Sequence, residues 1–355
     1  MHIMHADPVN FVWKAAGLLD ASNATKHGDT AMKAAWTKSY GPPEVLEIRD
    51  IPRPLITEAE VLVEVRAASV TTADWRLRAS AFPAFAWLPG RLMFGIFAPR
   101  NKVPGSDFAG RVVAAGAAVT GIAVGDAVFG SAGQGAHAQF VKIAEHAAIV
   151  PMPKGMAFAD AAAVPFGALA ALVFLRDFGA IAPGMKVLVL GAAGGVGVHA
   201  VQLAKHFGAH VTAVCSAANR DLAASLGADR VIDRGAEDFT QSGESWDLIF
   251  DPVGATSFRA CKPALAPRGV YLPLEFGLRE IAQALITRRS GGKRVVIGVS
   301  GDARDDLIFV KGLLDAGALR PVIDGRYPLA QIADAHRRVE SRRKTGAVIA
   351  LPFAA

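Results

Sequence analysis

The sequence predicts an α/β protein in two units: a β-rich, barrel-like unit, then parallel strands joined by crossover helices. Three observations carry this. Short runs separated by Gly turns fill residues 32 to about 150. After Pro153, Ala-rich helical stretches alternate with short apolar runs. At Lys186 an apolar strand runs straight into a glycine cluster that opens a helix.

Composition bounds the reading. A chain of 355 residues favours two domains, and 52% hydrophobic against 20% charged residues supplies a large core. The net charge of +6 is scattered. Its one tight cluster, Arg288, Arg289, Lys293 and Arg294, sits beside Gly291-Gly292 and reads as a solvated loop. No recognition-helix pattern or aromatic–basic repeat accompanies it, so nucleic acid is not an expected partner. Cys215 and Cys261 are too few for a disulfide framework and fit a reducing, cytoplasmic setting. No run of 18 apolar residues appears and the N-terminus lacks a secretory pattern, so no membrane partner is expected. The expected partner is a small-molecule substrate, with a homodimer left open.

Residues 1–31 stand apart around one apolar patch and read as an N-terminal extension, or else a short surface helix. In the unit over 32–152, Val61, Val63 and Val65 alternate with Leu62, Glu64 and Arg66, the mark of a strand with unequal faces. Over 153–310, the runs Val187–Leu190, Val211–Val214, Leu248–Asp251 and Gly269–Leu272 read as parallel strands. Residues 311–355 end in a Pro-Val-Ile strand and an amphipathic segment around Ile332–Val339.

The strongest local signal is Gly191-Ala192-Ala193-Gly194-Gly195-Val196-Gly197 after the strand Lys186–Leu190. Gly194 and Gly195 let the backbone approach a pyrophosphate, and Gly197 lets the helix pack on the sheet. The helix N-terminus then offers free N–H groups to the anion. Val196, Ala200, Leu203 and Phe207 form one face of that helix; His199, Gln202, Lys205 and His206 fall largely on the other, and Gly208 ends it. NAD-binding folds place an acid about 20 residues on, for the ribose hydroxyl. Here the next strand ends in Cys215-Ser216, and no acid occurs between Gly197 and Asp221. The Ser216 hydroxyl and the Arg220 cation suit a 2′-phosphate instead, so NADPH is the expected cofactor.

Further motifs fall in an order that resembles the medium-chain dehydrogenase/reductase family, in its zinc-free quinone oxidoreductase-like, NAD(P)-dependent alcohol dehydrogenase-like branch. They include Tyr40-Gly41-Pro42-Pro43-Glu44, Pro104-Gly105-Ser106-Asp107-Phe108-Ala109-Gly110, Leu226-Gly227-Ala228-Asp229, Phe250-Asp251-Pro252-Val253-Gly254 and Pro321-Val322-Ile323-Asp324. The resemblance covers about Met32 to Leu351. It implies a GroES-like β-barrel catalytic domain, a Rossmann doubly wound parallel sheet inserted into it, and an active site in the cleft between them. It also implies a cofactor set of Gly191, Ala193, Gly194, Gly195, Val196, Ser216, Arg220, Asp251 and Val253.

Zinc-dependent relatives carry Cys where this chain has Thr71 and His where it has Ser106, and the four cysteines of a structural site are missing. No metal is therefore expected. Without a Lewis acid, an already electron-poor acceptor suits the site best, such as a quinone or an α,β-unsaturated carbonyl. Tyr40 and Thr71 are weak catalytic candidates, Tyr271 a further proton-donor candidate, and Trp75 the expected aromatic contact to substrate. Asp107 reads as a structural hydrogen-bonding residue near the cleft. The apolar stretch Phe82–Phe97 reads as core, oligomer contact or lid. Two other functions stay open: zinc-free reduction of reactive aldehydes or ketones, and a non-catalytic NADPH-binding sensor.

Overall fold

The computed structural model describes residues 31–289 and 291–354, so the expected N-terminal extension lies outside them except for Ala31. Ala31 already belongs to the first strand. β1 (Ala31–Thr37) and β2 (Leu46–Pro52) pair antiparallel. Then come β3 (Glu60–Val70), β4 (Asp107–Ala115), β5 (Ala127–Ser131), β6 (Phe140–Ala144) and β7 (Ile149–Pro151). The next group is β8 (Lys186–Leu190), β9 (His210–Cys215), β10 (Arg230–Asp233), β11 (Trp246–Asp251), β12 (Leu265–Pro273) and β13 (Arg294–Val295). β14 (Ile323–Pro328) and β15 (Ala347–Leu351) close the chain.

These strands form two main sheets. A seven-stranded, mostly antiparallel sheet runs β14-β15-β3-β4-β5-β7, with β6 also on β3. The pairing of β15 with β3 carries the C-terminus back to the first sheet. β3 organises this sheet: Val61, Val63 and Val65 are fully buried while Arg66 is exposed, the period-2 pattern read from the sequence. Two register shifts against β4 let the 11-residue strand bend and serve several neighbours. The second sheet is all parallel, in the order β10-β9-β8-β11-β12-β13. Val187–Leu190 of β8 are buried on both faces, as a parallel strand covered by helices must be. The chain leaves β8 toward β9 and later returns on its other side as β11. That reversal opens a crevice at the C-terminal ends of β8 and β11.

One expectation about a helix changes. In the helix Gly197–His206, His199 and Gln202 are buried, not solvent-facing. The helix is packed on several sides: Gln202 bonds the backbone of Arg320 through both its amide atoms, and His199 Nε2 lies 3.4 Å from the Ala163 carbonyl. Burial pulls the His199 imidazole down to about 4, so it is neutral. Gly208 does end the helix, at φ +78°. Residues 158–178 form a helical stretch with mean hydropathy 2.0, long and apolar enough to cross a membrane. It is 78% buried inside the fold, which is how a core helix reads.

The C-terminal helix Ile332–Glu340 docks on the helix Thr72–Ala79 through an ion pair buried at its Arg78 end. The Arg78 side chain is fully buried; it donates to Glu340 Oε2 at 2.6 Å and to the Gly41 carbonyl at 2.5 Å. Removing the acid strands a buried cation. Glu340→Ala is expected to lower stability by about 1–3 kcal/mol in a urea titration; a change near zero would mean Arg78 is held by other groups.

Candidate active site

The crevice at β8 widens into a cleft of about 1070 Å³ between the two sheets. Its floor is the glycine turn. Gly191 adopts φ +59°, and a Cβ there would sit 2.8 Å from the Val253 side chain. A Cβ on Gly197 would lie 2.2 Å from the Gly191 carbonyl oxygen, so only glycine lets the helix start this close to the strand. No side chain caps this helix. Among the described residues the N–H groups of Gly195 and Val196 have no acceptor, which leaves them to a ligand.

Of the cofactor set expected from the sequence, Gly191, Ala193, Gly194, Gly195, Val196, Ser216 and Val253 line the cleft. Asp251 and Arg220 do not. Asp251 is fully buried and its carboxylate accepts from the N–H groups of Val253, Ala255 and Thr256 at 3.0–3.2 Å. It shapes the loop that carries Val253 over the turn. Arg220 is exposed at the first residue of the helix Arg220–Ser225.

Cations that the sequence reading passed over line the cleft instead. Arg342, Arg343 and Lys344 precede β15, and Arg234 follows β10. Two hydrogen bonds tie this C-terminal segment to the parallel sheet: Gly346 N to the Ala193 carbonyl at 2.8 Å, and Thr345 Oγ1 to Asn219 Oδ1 at 3.3 Å. Asn219 in turn donates to Ser216 Oγ at 3.2 Å. Lys344 Nζ sits 2.5 Å from where a Gly195 Cβ would be, and burial lowers its ammonium to about 8. Arg234 and Arg343 make no ion pair among the described residues. Glu275 crosses the cleft, pairing with Arg76 at 2.6 Å and Arg342 at 3.6 Å.

The other wall carries Ser69, Thr71, Trp75, Asp107 and Phe166. The Thr71 hydroxyl is committed to a capping box: it donates to Asp74 Oδ2 at 2.7 Å and accepts from Asp74 N at 3.2 Å. Trp75 is half-buried on this wall, where an aromatic contact was expected. The candidate tyrosines are elsewhere. Tyr40 donates to the Gly95 carbonyl at 2.8 Å beneath the Arg91 guanidinium. Tyr271 lies in β12, 3.1 Å from both Asp251 Oδ2 and the Thr256 carbonyl, and burial pushes its phenol far up. Neither lines the cleft.

Asp107 does. It is 2% exposed, and Oδ2 accepts from Phe166 N at 2.7 Å and Ser69 Oγ at 3.2 Å. Burial, reinforced by the charges of Asp302 and Asp74, raises its carboxyl well above the usual range.

A parallel sheet with a glycine turn at its switch point, facing an antiparallel sheet across a cleft, is the build of a nicotinamide-nucleotide-dependent oxidoreductase. Comparison with known proteins agrees. Residues 57–172 match the alcohol dehydrogenase GroES-like domain, and residues 226–349 the domain described as zinc-binding dehydrogenase. The second match lies outside Thr71 and Ser106. A 2-methylene-furan-3-one reductase of Solanum lycopersicum is 33% identical over 91% of this chain and 79% of its own. A quinone oxidoreductase of Pseudomonas aeruginosa is 32% identical over 88% and 98%. The solved quinone oxidoreductase of Coxiella burnetii superposes with a TM-score of 0.80 at 26% identity, covering 91% of this chain and 99% of its own. The chain belongs to the medium-chain dehydrogenase/reductase family of NAD(P)-dependent oxidoreductases, in its quinone oxidoreductase-like branch.

The glycine packing gives a direct test. Gly197→Ala is expected to push the helix off the strand, costing about 1–3 kcal/mol of stability and weakening NADH and NADPH alike. Unchanged affinity for both, read by cofactor fluorescence, would show that the turn tolerates the methyl group.

Proposed function

We propose that this protein is an NADPH-dependent reductase that delivers hydride to an electron-poor acceptor, a quinone or an α,β-unsaturated carbonyl, without a catalytic metal. The observation that carries the cofactor choice is the cationic segment Arg342–Lys344, tied through Thr345 and Asn219 to Ser216. Charge-assisted hydrogen bonds from such a segment suit phosphates. The cleft volume lies at the top of the usual range for small-molecule sites, about 300–1,000 Å³, which fits a dinucleotide and an acceptor together.

The acceptor class is supported by the relatives. Besides the furanone reductase and the quinone oxidoreductase, an NADPH-dependent alkenal/one oxidoreductase of Arabidopsis thaliana is 32% identical over 91% of the chain. The metal-free reading is supported by donor chemistry: Thr71 and Ser106 offer hydroxyls where a zinc site needs thiolate or imidazole, and the Thr71 hydroxyl is already engaged by Asp74. The two free cysteines, both buried, support a reducing compartment such as the cytoplasm.

Bound NADPH supplies the hydride. Gly195 and Val196 N–H and the Lys344 ammonium would hold its pyrophosphate at the turn. Arg342, Arg343 and Ser216 would hold the 2′-phosphate, a role the sequence had assigned to Ser216 and Arg220. Trp75 gives the acceptor an apolar wall. Asp107, whose carboxyl burial pushes well above the usual range, would hold the proton that the reduced acceptor takes up.

Three outcomes follow. Arg342→Ala should weaken NADPH by tenfold or more, at about 1.5–3 kcal/mol per charge-assisted bond, with NADH little changed. Arg220→Ala should leave both affinities near wild type, and the reverse pattern would return the phosphate to Arg220. Lys344 is charged below about 8, and bound phosphate stabilises that form, so cofactor affinity should fall as pH rises through about 8. Lys344→Met should flatten that dependence; a wild-type profile already flat across that pH would remove Lys344 from the phosphate site. Asp107→Asn should lower kcat by about a hundredfold or more with NADPH affinity unchanged. It should also abolish the alkaline decline expected as the wild-type carboxyl loses its proton. An unaltered kcat would assign protonation to solvent.

A further inference from the structure

The stretch Phe82–Phe97 is not core, although core was one expectation for it. No residue of its helix Trp87–Phe94 is buried. Trp87, Leu88, Leu92, Met93, Ile96 and Phe97 are all exposed, Leu88 at 60% and Phe97 at 89%. Yet the segment is well anchored, and its polar groups do the anchoring. Arg91 donates to Ser80 Oγ and to the Ile96 carbonyl, each at 2.6 Å, and stacks on Tyr40 at 4.0 Å. Arg100 donates to the Leu92 carbonyl at 3.1 Å, and Tyr40 to the Gly95 carbonyl at 2.8 Å. Gly95 turns the chain at φ +124°, where a Cβ would lie 2.0 Å from the Ala98 carbonyl. The usual polarity is inverted: polar groups hold the loop from within, and apolar side chains face out. A contiguous apolar surface of this kind marks an interaction site.

The charge pattern identifies the partner. Between Asp74 and Asp107 the chain has no acidic residue, and both of those acids are buried. The cations in and beside the patch are Arg91, Arg100 and Lys102. A second copy docked through the same patch would bring no exposed acid to pair with these cations, since the stretch carries none. A surface both apolar and anionic answers both features, with Trp87 at the headgroup level and the fixed positive charges of Arg91, Arg100 and Lys102 drawing the loop toward anionic headgroups. We propose that Phe82–Phe97 docks this protein peripherally on an anionic lipid bilayer. The lack of a long apolar run bears on spanning a bilayer, not on docking to its surface.

The surface is separate from the cleft, since Leu88 and Phe97 do not line it. It begins directly after the helix Thr72–Ala79, which carries Trp75. Docking there would set that wall of the cleft close to the bilayer.

The test is co-sedimentation of the full chain with phosphatidylcholine vesicles, with and without phosphatidylglycerol, at low and high salt. At about 1 kcal/mol per cation near the surface, roughly fivefold each, the anionic lipid should raise partitioning by ten- to a hundredfold, and high salt should reverse most of that gain. The double variant Leu88→Glu/Phe97→Glu should lose about tenfold or more in binding while keeping wild-type NADPH affinity, which shows that it is folded. Three results would overturn the proposal. One is no binding to the anionic vesicles. Another is an oligomer at micromolar concentration that the double variant disperses, which assigns the patch to a second copy. The third is vesicle binding that appears only when residues 1–30 are removed, which assigns it to the chain's own N-terminus.

Discussion

The contact between Gly197 and the Gly191 carbonyl, with no room for a Cβ, is the constraint on which the rest of the site depends. It fixes the helix Gly197–His206 against the end of β8, and so aims the N–H groups of Gly195 and Val196 into the cleft. The buried carboxylate of Asp251 fixes the opposite side of the turn by gathering three backbone N–H groups of the next loop. A buried carboxylate with several such donors is well compensated. The floor of the cleft is thus made of backbone, held in place by packing.

The C-terminal segment joins the two halves around that turn. β15 belongs to the antiparallel sheet, yet Gly346, just before it, is bonded to Ala193 within the glycine turn. Lys344 is carried onto the turn by the same short stretch. Across the cleft, Glu275 lies between Arg76 and Arg342, so one carboxylate touches both walls.

Much of this architecture was legible in the sequence, for physical reasons. β8, β9, β11 and β12 read clearly because strands buried on both faces must be continuous apolar runs. β13, two residues with the exposed Arg294, carries no such signal. A charge on an edge strand is a common guard against pairing. His199 and Gln202 fall on a stripe of polar side chains, which usually means a wet face, whereas here both are buried, with the Ala163 carbonyl beside His199 and the Arg320 backbone bonded to Gln202. Asp251 was placed by its motif, which does not say whether a carboxylate points to ligand or loop. The cations at 342–344 lie more than 120 residues from Ser216, and only the fold unites them. Asp107 was seen as a bonded residue near the cleft, but its raised pKa comes from burial between the two units, with the charge of Asp302 on a remote loop adding to it.

The central claim is that the cleft holds NADPH over the glycine turn with its nicotinamide toward Trp75 and Asp107. It is tested most directly by single-turnover reaction of the full chain with an enone and NADPH deuterated on one or the other face of the nicotinamide C4. A fixed cofactor predicts that only one of the two labelled forms passes its deuterium to the enone carbon. Equal transfer from both faces, or no oxidation of the cofactor, would contradict the account.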